Sequence, residues 1–177
     1  MSLNNHPSRQ HTVLSVFRRH ATLRRSFGLL SDFKYEQTRP DIFYGHLAAD
    51  TVGLIRDVYA GVRGLTASAA EEPLHGAKIL DVGGGPGYFA DAFSDCFYVG
   101  LEPNVSELSA AGISGFGSVR GDGAALPFAD DSFDVVYSSN VAEHIPNWQA
   151  MGDEMLRVAK PGGLVVLSYT VWLGPFG

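Results

Sequence analysis

The stretch ILDVGGGPGYF, residues 79–89, decides the fold. A short apolar run from Ile79 to Val82 meets four glycines packed around Pro86. An apolar run bounded in this way reads as a buried strand. Each glycine costs about 0.5–1 kcal/mol relative to alanine in regular structure, so a bare backbone must be needed, for a tight turn or for a ligand that lies against the main chain. Downstream, apolar runs alternate with helical stretches. KILDVG (78–83), FYVGLE (97–102), GSVRGD (117–122), FDVVYSS (133–139) and GLVVLSYTV (163–171) read as strands. GYFADAFSD (87–95) and NWQAMGDEMLRVA (147–159) read as helices. In the second, Trp148, Met151, Met155 and Val158 step by three, four and three residues, a helix face expected in the core. KPGG, 160–163, stops that helix and starts the last strand. The alternation predicts an α/β fold: a Rossmann-like parallel sheet with flanking helices and right-handed crossovers.

Upstream, Val13, Leu14, Phe17, Leu23, Phe27 and Leu30 predict one or two short helices over 13–30. Pro40 breaks the pattern, and residues 41–64 read as a helix with Phe43, Leu47, Val52, Leu54, Ile55 and Val58 on its apolar side. Small residues and turn formers make 64–76 a loop. The chain therefore divides into an N-terminal helical segment, 1–75, and a ligand-binding core, 76–177.

The 177 residues suit one domain, and 45% apolar content suffices for a core. A net charge of −6 argues against a nucleic-acid binder. The sequence has no apolar run of about 18 residues, so no transmembrane segment is expected. The polar residues 1–12 do not read as a leader. Cys96 is the single cysteine, expected as a small buried hydrophobe in a reducing compartment, and a cytoplasmic location follows as the expectation. Basic residues cluster at Arg9, Arg18, Arg19, Arg24, Arg25, Lys34 and Arg39, against Asp32 and Glu36, and read best as a solvated helix face.

The ligand of the glycine loop is narrowed by what surrounds it. The dinucleotide pattern G-x-G-x-x-G needs glycine at 88 or 90, where Tyr88 and Ala90 stand; G-K-[ST] of the P-loop is absent. What remains is Asp81, Val82, Gly83, Gly85 and Gly87, an acidic-apolar-G-x-G-x-G pattern. A helix opening at Gly87 would offer N–H groups to a carboxylate or phosphate. Glu102 ends the second strand 19 residues past Gly83, near the spacing at which a carboxylate meets ribose hydroxyls. Asp122, at the end of the third strand, suits an adenine amino group. Two strand-tip acids together point to an adenosine ligand with a bare ribose.

With these residues in place, the chain resembles class I S-adenosylmethionine-dependent methyltransferases of the small-molecule type, and its detailed wording resembles actinobacterial members. The resemblance rests on ILDVGGGPGYFA, VGLEP, GDGAALPFADDSFDVVYSSNVAEHIPN and EMLRVAKPGGLVVLSYT, covering roughly 78–170. It implies S-adenosyl-L-methionine as cofactor. Gly83, Gly85 and Gly87 would run beside its methionine part, and Asp81 would help hold the amino group through water. Glu102 would take the ribose hydroxyls, and Asp122 the adenine amino group, with Gly123 and Ala124 backbone near the ring. Asn140 would lie by the methionine and the acceptor mouth. The implied reaction is methyl transfer to a small-molecule acceptor, foremost a hydroxyl of a sugar, glycolipid or lipid. His144 would be the base, since histidine suits proton transfer near neutrality, and Glu143 would orient it. Asn140-x-x-Glu143-His144 departs from the E-x-x-E-H of metal-dependent relatives, so no metal is expected. Carbon or nitrogen methylation, or a cofactor-binding inactive partner subunit, stay open. Tyr35, Glu36, Phe43 and Tyr44 would belong to a lid. The family continues past the fifth strand with a helix and an antiparallel hairpin, so the chain reads as a fragment whose apolar edge strand makes a homodimer an option.

Overall fold

The computed structural model describes residues 32, 34–35, 38–63, 73–104, 106 and 117–168. The helix expected over 13–30, the lid residue Glu36 and the strand end beyond 168 lie outside them.

Five strands form one sheet: β1 (Lys78–Val82), β2 (Phe97–Glu102), β3 (Gly117–Arg120), β4 (Phe133–Ser139) and β5 (Ala159–Ser168). Their order is β3-β2-β1-β4-β5, and every pairing is parallel. Parallel sheets are covered on both faces, which is why β1 is buried from Ile79 to Val82 with no polar alternation. Chain order reverses between β1 and β4, and a crevice opens at the carboxyl ends of strands flanking such a point.

Helix α1 (Pro40–Val62) starts with proline at its first turn, where the missing N–H costs nothing. Its Phe43, Leu47, Val52, Ile55 and Tyr59 join Ile79, Tyr98, Val135 and Tyr137 of the sheet in one core. Helix α2 (Trp148–Val158) is capped by Asn147, whose side chain accepts from the Ala150 N–H at 3.2 Å. Its Met151, Met155 and Val158 pack on Leu80, Val82, Leu101 and Val136, the opposite face. Each of these fully buried side chains contributes roughly 1.5–3 kcal/mol. Alternation along β1 thus sends Ile79 and Asp81 to the α1 side, and Leu80 and Val82 to the α2 side.

Three expectations are corrected. Trp148 is not core but 52% exposed: it is the first residue of α2, and the buried face of that helix begins one turn later, at Met151. Residues 87–95 are not a helix: turns lead into a four-residue 3₁₀ segment, Ala90–Phe93. Strand β5 begins at Ala159 rather than 163. Phe133 pairs with Ala159 but Val135 with Leu164, so KPGG forms a bulge with Gly162 at φ 75° inside the strand. Lys160 reaches from the bulge to Asp134 at 2.8 Å. Cys96 is half-buried, its Sγ donating to the Leu74 carbonyl at 3.3 Å.

Candidate active site

A cavity of about 800 Å³ sits at the carboxyl ends of β1, β2 and β4. Its walls carry Asp81, Gly83, Glu102, Asp122, Asn140 and His144. The glycine loop forms its floor and is held tightly. The N–H groups of Gly83 and Gly84 both donate to the Leu101 carbonyl, at 2.8 and 3.2 Å, and Gly85 N–H donates to Glu102 Oε2 at 3.1 Å. Gly87 N–H donates to the Gly84 carbonyl at 2.9 Å. With these donors used inside the loop and no full helix behind them, the expected helix-terminus site for a carboxylate is not formed here.

Glycine is required at two points for a stated reason. Gly83 has φ 81°, and a Cβ there would lie 2.5 Å from a Val141 methyl. At Gly84 a Cβ would meet Asp81 Oδ2 at 2.9 Å. The loop therefore rests directly on the Asp81 carboxylate. Asp81 is buried, and its Oδ2 accepts from the hydroxyls of both Tyr98 and Tyr137, each at 2.6 Å. Burial raises its pKa to about 6 against the pull of the two hydroxyls, with Glu102 adding repulsion. Burial and then the Asp81 charge push the pKa values of both tyrosines upward.

Glu102 closes the loop from the side. Its Oε2 accepts from Gly85 and its Oε1 from Asn104 N–H at 2.9 Å. Each carboxylate oxygen has a second lone pair, so the group can still accept from ligand hydroxyls. Asp122 lies two residues past β3, in a turn where its Oδ1 takes the Ala124 N–H at 2.8 Å. Asp122 and Gly123 line the cavity, whereas Ala124 and Gly87 are not among its lining residues. Asn140 has φ 56°, a left-handed conformation that asparagine tolerates better than most residues, and its N–H donates to Ser168. Beside it, Ser139 lines the cavity, while its Oγ is buried with no hydrogen-bond partner. His144 lies on the short 3₁₀ segment Ala142–His144 and faces the cavity. Glu143 is exposed and outside the lining, and no hydrogen bond joins it to His144 among the described residues. Of the lid residues, Tyr44 lines the cavity and stacks on Tyr88, ring centroids 4.5 Å apart and planes within 4°. Phe43 is buried in the core and Tyr35 packs against it.

Two functional features escape sequence reasoning. One is the tyrosine pair under Asp81. The other is Arg157, which holds the chain that follows Asp122. It grips Glu154 with two bonds of 2.6 and 2.7 Å and donates to the carbonyls of Leu126 and Phe128 and to Asp130. Glu154 in turn accepts the Leu126 N–H at 2.7 Å. Hydrogen bonding to Glu154 first, then to Asp130, raises the Arg157 pKa, while Arg157 holds Glu154 below the usual carboxylate range.

The positive-φ glycines and the strand-tip acids fit a small ligand with a polar, hydroxyl-bearing body. Residues 80–167 match the family model described as a methyltransferase domain. This segment is a methyltransferase domain. The methyl donor of its family is S-adenosylmethionine. Uncharacterised methyltransferases of Mycobacterium tuberculosis and Mycobacterium marinum are each 57% identical over 171 residues, 93% of this chain. The chain spans 65% and 64% of the length of these two relatives. Among solved structures, a candidate methyltransferase of Bacillus halodurans is 26% identical, covering 68% of this chain and 54% of its own, with a TM-score of 0.52. A Pyrococcus horikoshii protein, also 26% identical, gives 0.51 over 55% of this chain and 47% of its own. Among the described residues no helix of the methyltransferase domain or of α1 is long and apolar enough to cross a membrane. Nor is any group of three or more His, Cys, Asp or Glu placed to hold a metal ion among them.

Proposed function

We propose that the chain transfers a methyl group from S-adenosylmethionine to a hydroxyl of a small-molecule acceptor such as a sugar, glycolipid or lipid. The observation that carries this reading is the convergence of Glu102, Asp122 and His144 on one cavity floored by the glycine loop. When bound, the cofactor supplies an electrophilic methyl on a sulfonium. The protein's work is to hold and to orient, which can be worth about 7–11 kcal/mol for well-aligned groups. Glu102 takes the ribose hydroxyls with the lone pairs that the loop leaves unused. Asp122 and Gly123 border the adenine, Gly83 and Gly85 flank the methionine chain, and Asp81 faces its amino group. Asn140 and Ser139 border the acceptor mouth. His144, on the rim, takes the acceptor's proton as the oxygen attacks.

Methyl transfer from labelled S-adenosylmethionine into hydroxylated sugars and lipids tests the reading. His144→Ala is expected to lower turnover about 10²–10⁴-fold with little change in cofactor affinity. Full turnover by that variant would overturn the hydroxyl chemistry and favour a carbon or nitrogen acceptor. Cofactor binding without transfer to any acceptor would favour an inactive partner subunit.

A further inference from the structure

Among the described residues, Asp81 is the one buried acid. No Lys, Arg or His forms an ion pair with it among them, and the charge that acts on it, Glu102, is of like sign. A buried carboxylate without a cation is unfavourable, and apolar side chains of similar size commonly serve stability better. The fold nevertheless goes to some length to accommodate it. Asp81 stands in register with Tyr137 on β4 and with Gly100 on β2. Gly100 has no side chain, so Tyr98, two residues earlier on the same face, leans across the gap; its Cε1 and hydroxyl lie 3.6 and 3.7 Å from where a Cβ at 100 would stand. Both tyrosine hydroxyls thereby reach the same oxygen, Oδ2, and neither uses Oδ1. The carboxylate lines the cavity. What complements a fixed, half-used carboxylate in a cavity wall is a ligand cation.

We propose that Tyr98 and Tyr137 are positioning residues: by donating both hydroxyls to Oδ2 they fix the Asp81 carboxylate so that Oδ1 receives the α-ammonium group of the methyl donor. This rests on the methyl-donor reading above. Each hydroxyl also favours the ionised carboxylate, opposing burial and the repulsion of Glu102, so loss of either one makes Asp81 easier to protonate. The remaining titratable groups lining this cavity are Asp122 in the turn after β3, His144 on the 142–144 segment, and the hydroxyls of Tyr44 and Tyr88.

The test compares two probes of one adenosine frame, one with the amino-acid tail and one without it. S-adenosylhomocysteine carries the amino-acid tail with its ammonium; methylthioadenosine lacks it. Calorimetric titration of the full chain is made with the parent, Tyr98→Phe and Tyr137→Phe, at neutral pH and through a descending pH series. Each variant is expected to bind S-adenosylhomocysteine roughly tenfold more weakly, as for a hydrogen bond to a charged group, while methylthioadenosine affinity stays within about twofold. The pH at which S-adenosylhomocysteine affinity declines is expected to move upward in each variant, because protonation of Asp81 removes the partner of the ammonium. A parallel loss of both ligands would show that the tyrosines merely support the loop, and unchanged affinity for both would show that they do nothing for the ligand; either overturns the proposal. A parent chain that binds neither probe would instead sink the methyl-donor reading itself.

Discussion

Replacing Asp81 with asparagine separates what this carboxylate costs the fold from what it does for a ligand. The amide oxygen can still accept both tyrosine hydroxyls, but the charge is gone. Burial raises the Asp81 pKa from 3.8 to about 6. At about 1.4 kcal/mol per pH unit, the native state therefore loses about 3 kcal/mol when this group ionises. The sign is the reverse of the common salt-bridged acid. Between pH 3.8 and about 6 the native protein binds more protons here than the unfolded chain does, so this group's contribution is fully favourable below the lower value and is lost as pH rises through the upper one. Asp81→Asn has no such loss. Thermal unfolding of both proteins from about pH 4 to about pH 8 should show the variant gaining on the parent by about 2.4 kcal/mol across that range, or roughly 5–10 °C in Tm for a chain of this size. All other titrating groups except Glu102, which Asp81 repels, are shared and cancel in the difference. Parallel profiles, with a gap that does not change with pH, would refute the reasoning, since they would mean that burial does not govern this group. The same variant should bind S-adenosylhomocysteine poorly, a stability gain obtained at the expense of a site.

Other outcomes follow from the same contacts. Gly84→Ala would place a methyl 2.9 Å from Asp81 Oδ2 and 3.3 Å from the Tyr98 hydroxyl, atoms that are themselves pinned. It should destabilise by about 1–3 kcal/mol, and a Tm equal to the parent's would show the loop to be looser than it looks. Glu102→Gln leaves one oxygen where two N–H groups and the ligand require two, so calorimetry should record S-adenosylhomocysteine affinity about tenfold or more below the parent's; equal affinity would remove Glu102 from the site. Arg157→Met releases the Leu126 and Phe128 carbonyls, and amide exchange over 126–130 should quicken while the strands stay protected.

Much of this was legible because β-strands announce both their burial and their ends. Ile79 to Val82 followed by glycine fixed the first strand and the loop, and strand-tip position alone singled out Glu102 and Asp122 as facing a crevice. The two misplaced elements failed for local reasons. ADAF has helical composition, but the loop before it uses its own N–H groups, so only a 3₁₀ turn remains. KPGG looks like a break between elements, yet the sheet absorbs it as a bulge. Tyr98 and Tyr137 were hidden because in a strand they read as ordinary β-formers; periodicity gives the face a ring occupies, not the carboxylate its hydroxyl reaches across a neighbouring glycine. Arg157 reads as a cation suiting a helix end, and only the folded chain brings residues 126–130 under its guanidinium.

The parallel rings of Tyr44 and Tyr88 carry a consequence for how the helical segment is held to the cavity wall. One ring belongs to α1 and the other to the residue just past the glycines, so their contact is a seam between the helical segment and the loop. Parting such a pair forfeits about 0.5–1.5 kcal/mol, a roughly two- to thirteen-fold change in population. A seam of that strength holds the helical segment to the glycine loop most of the time and still lets the two part.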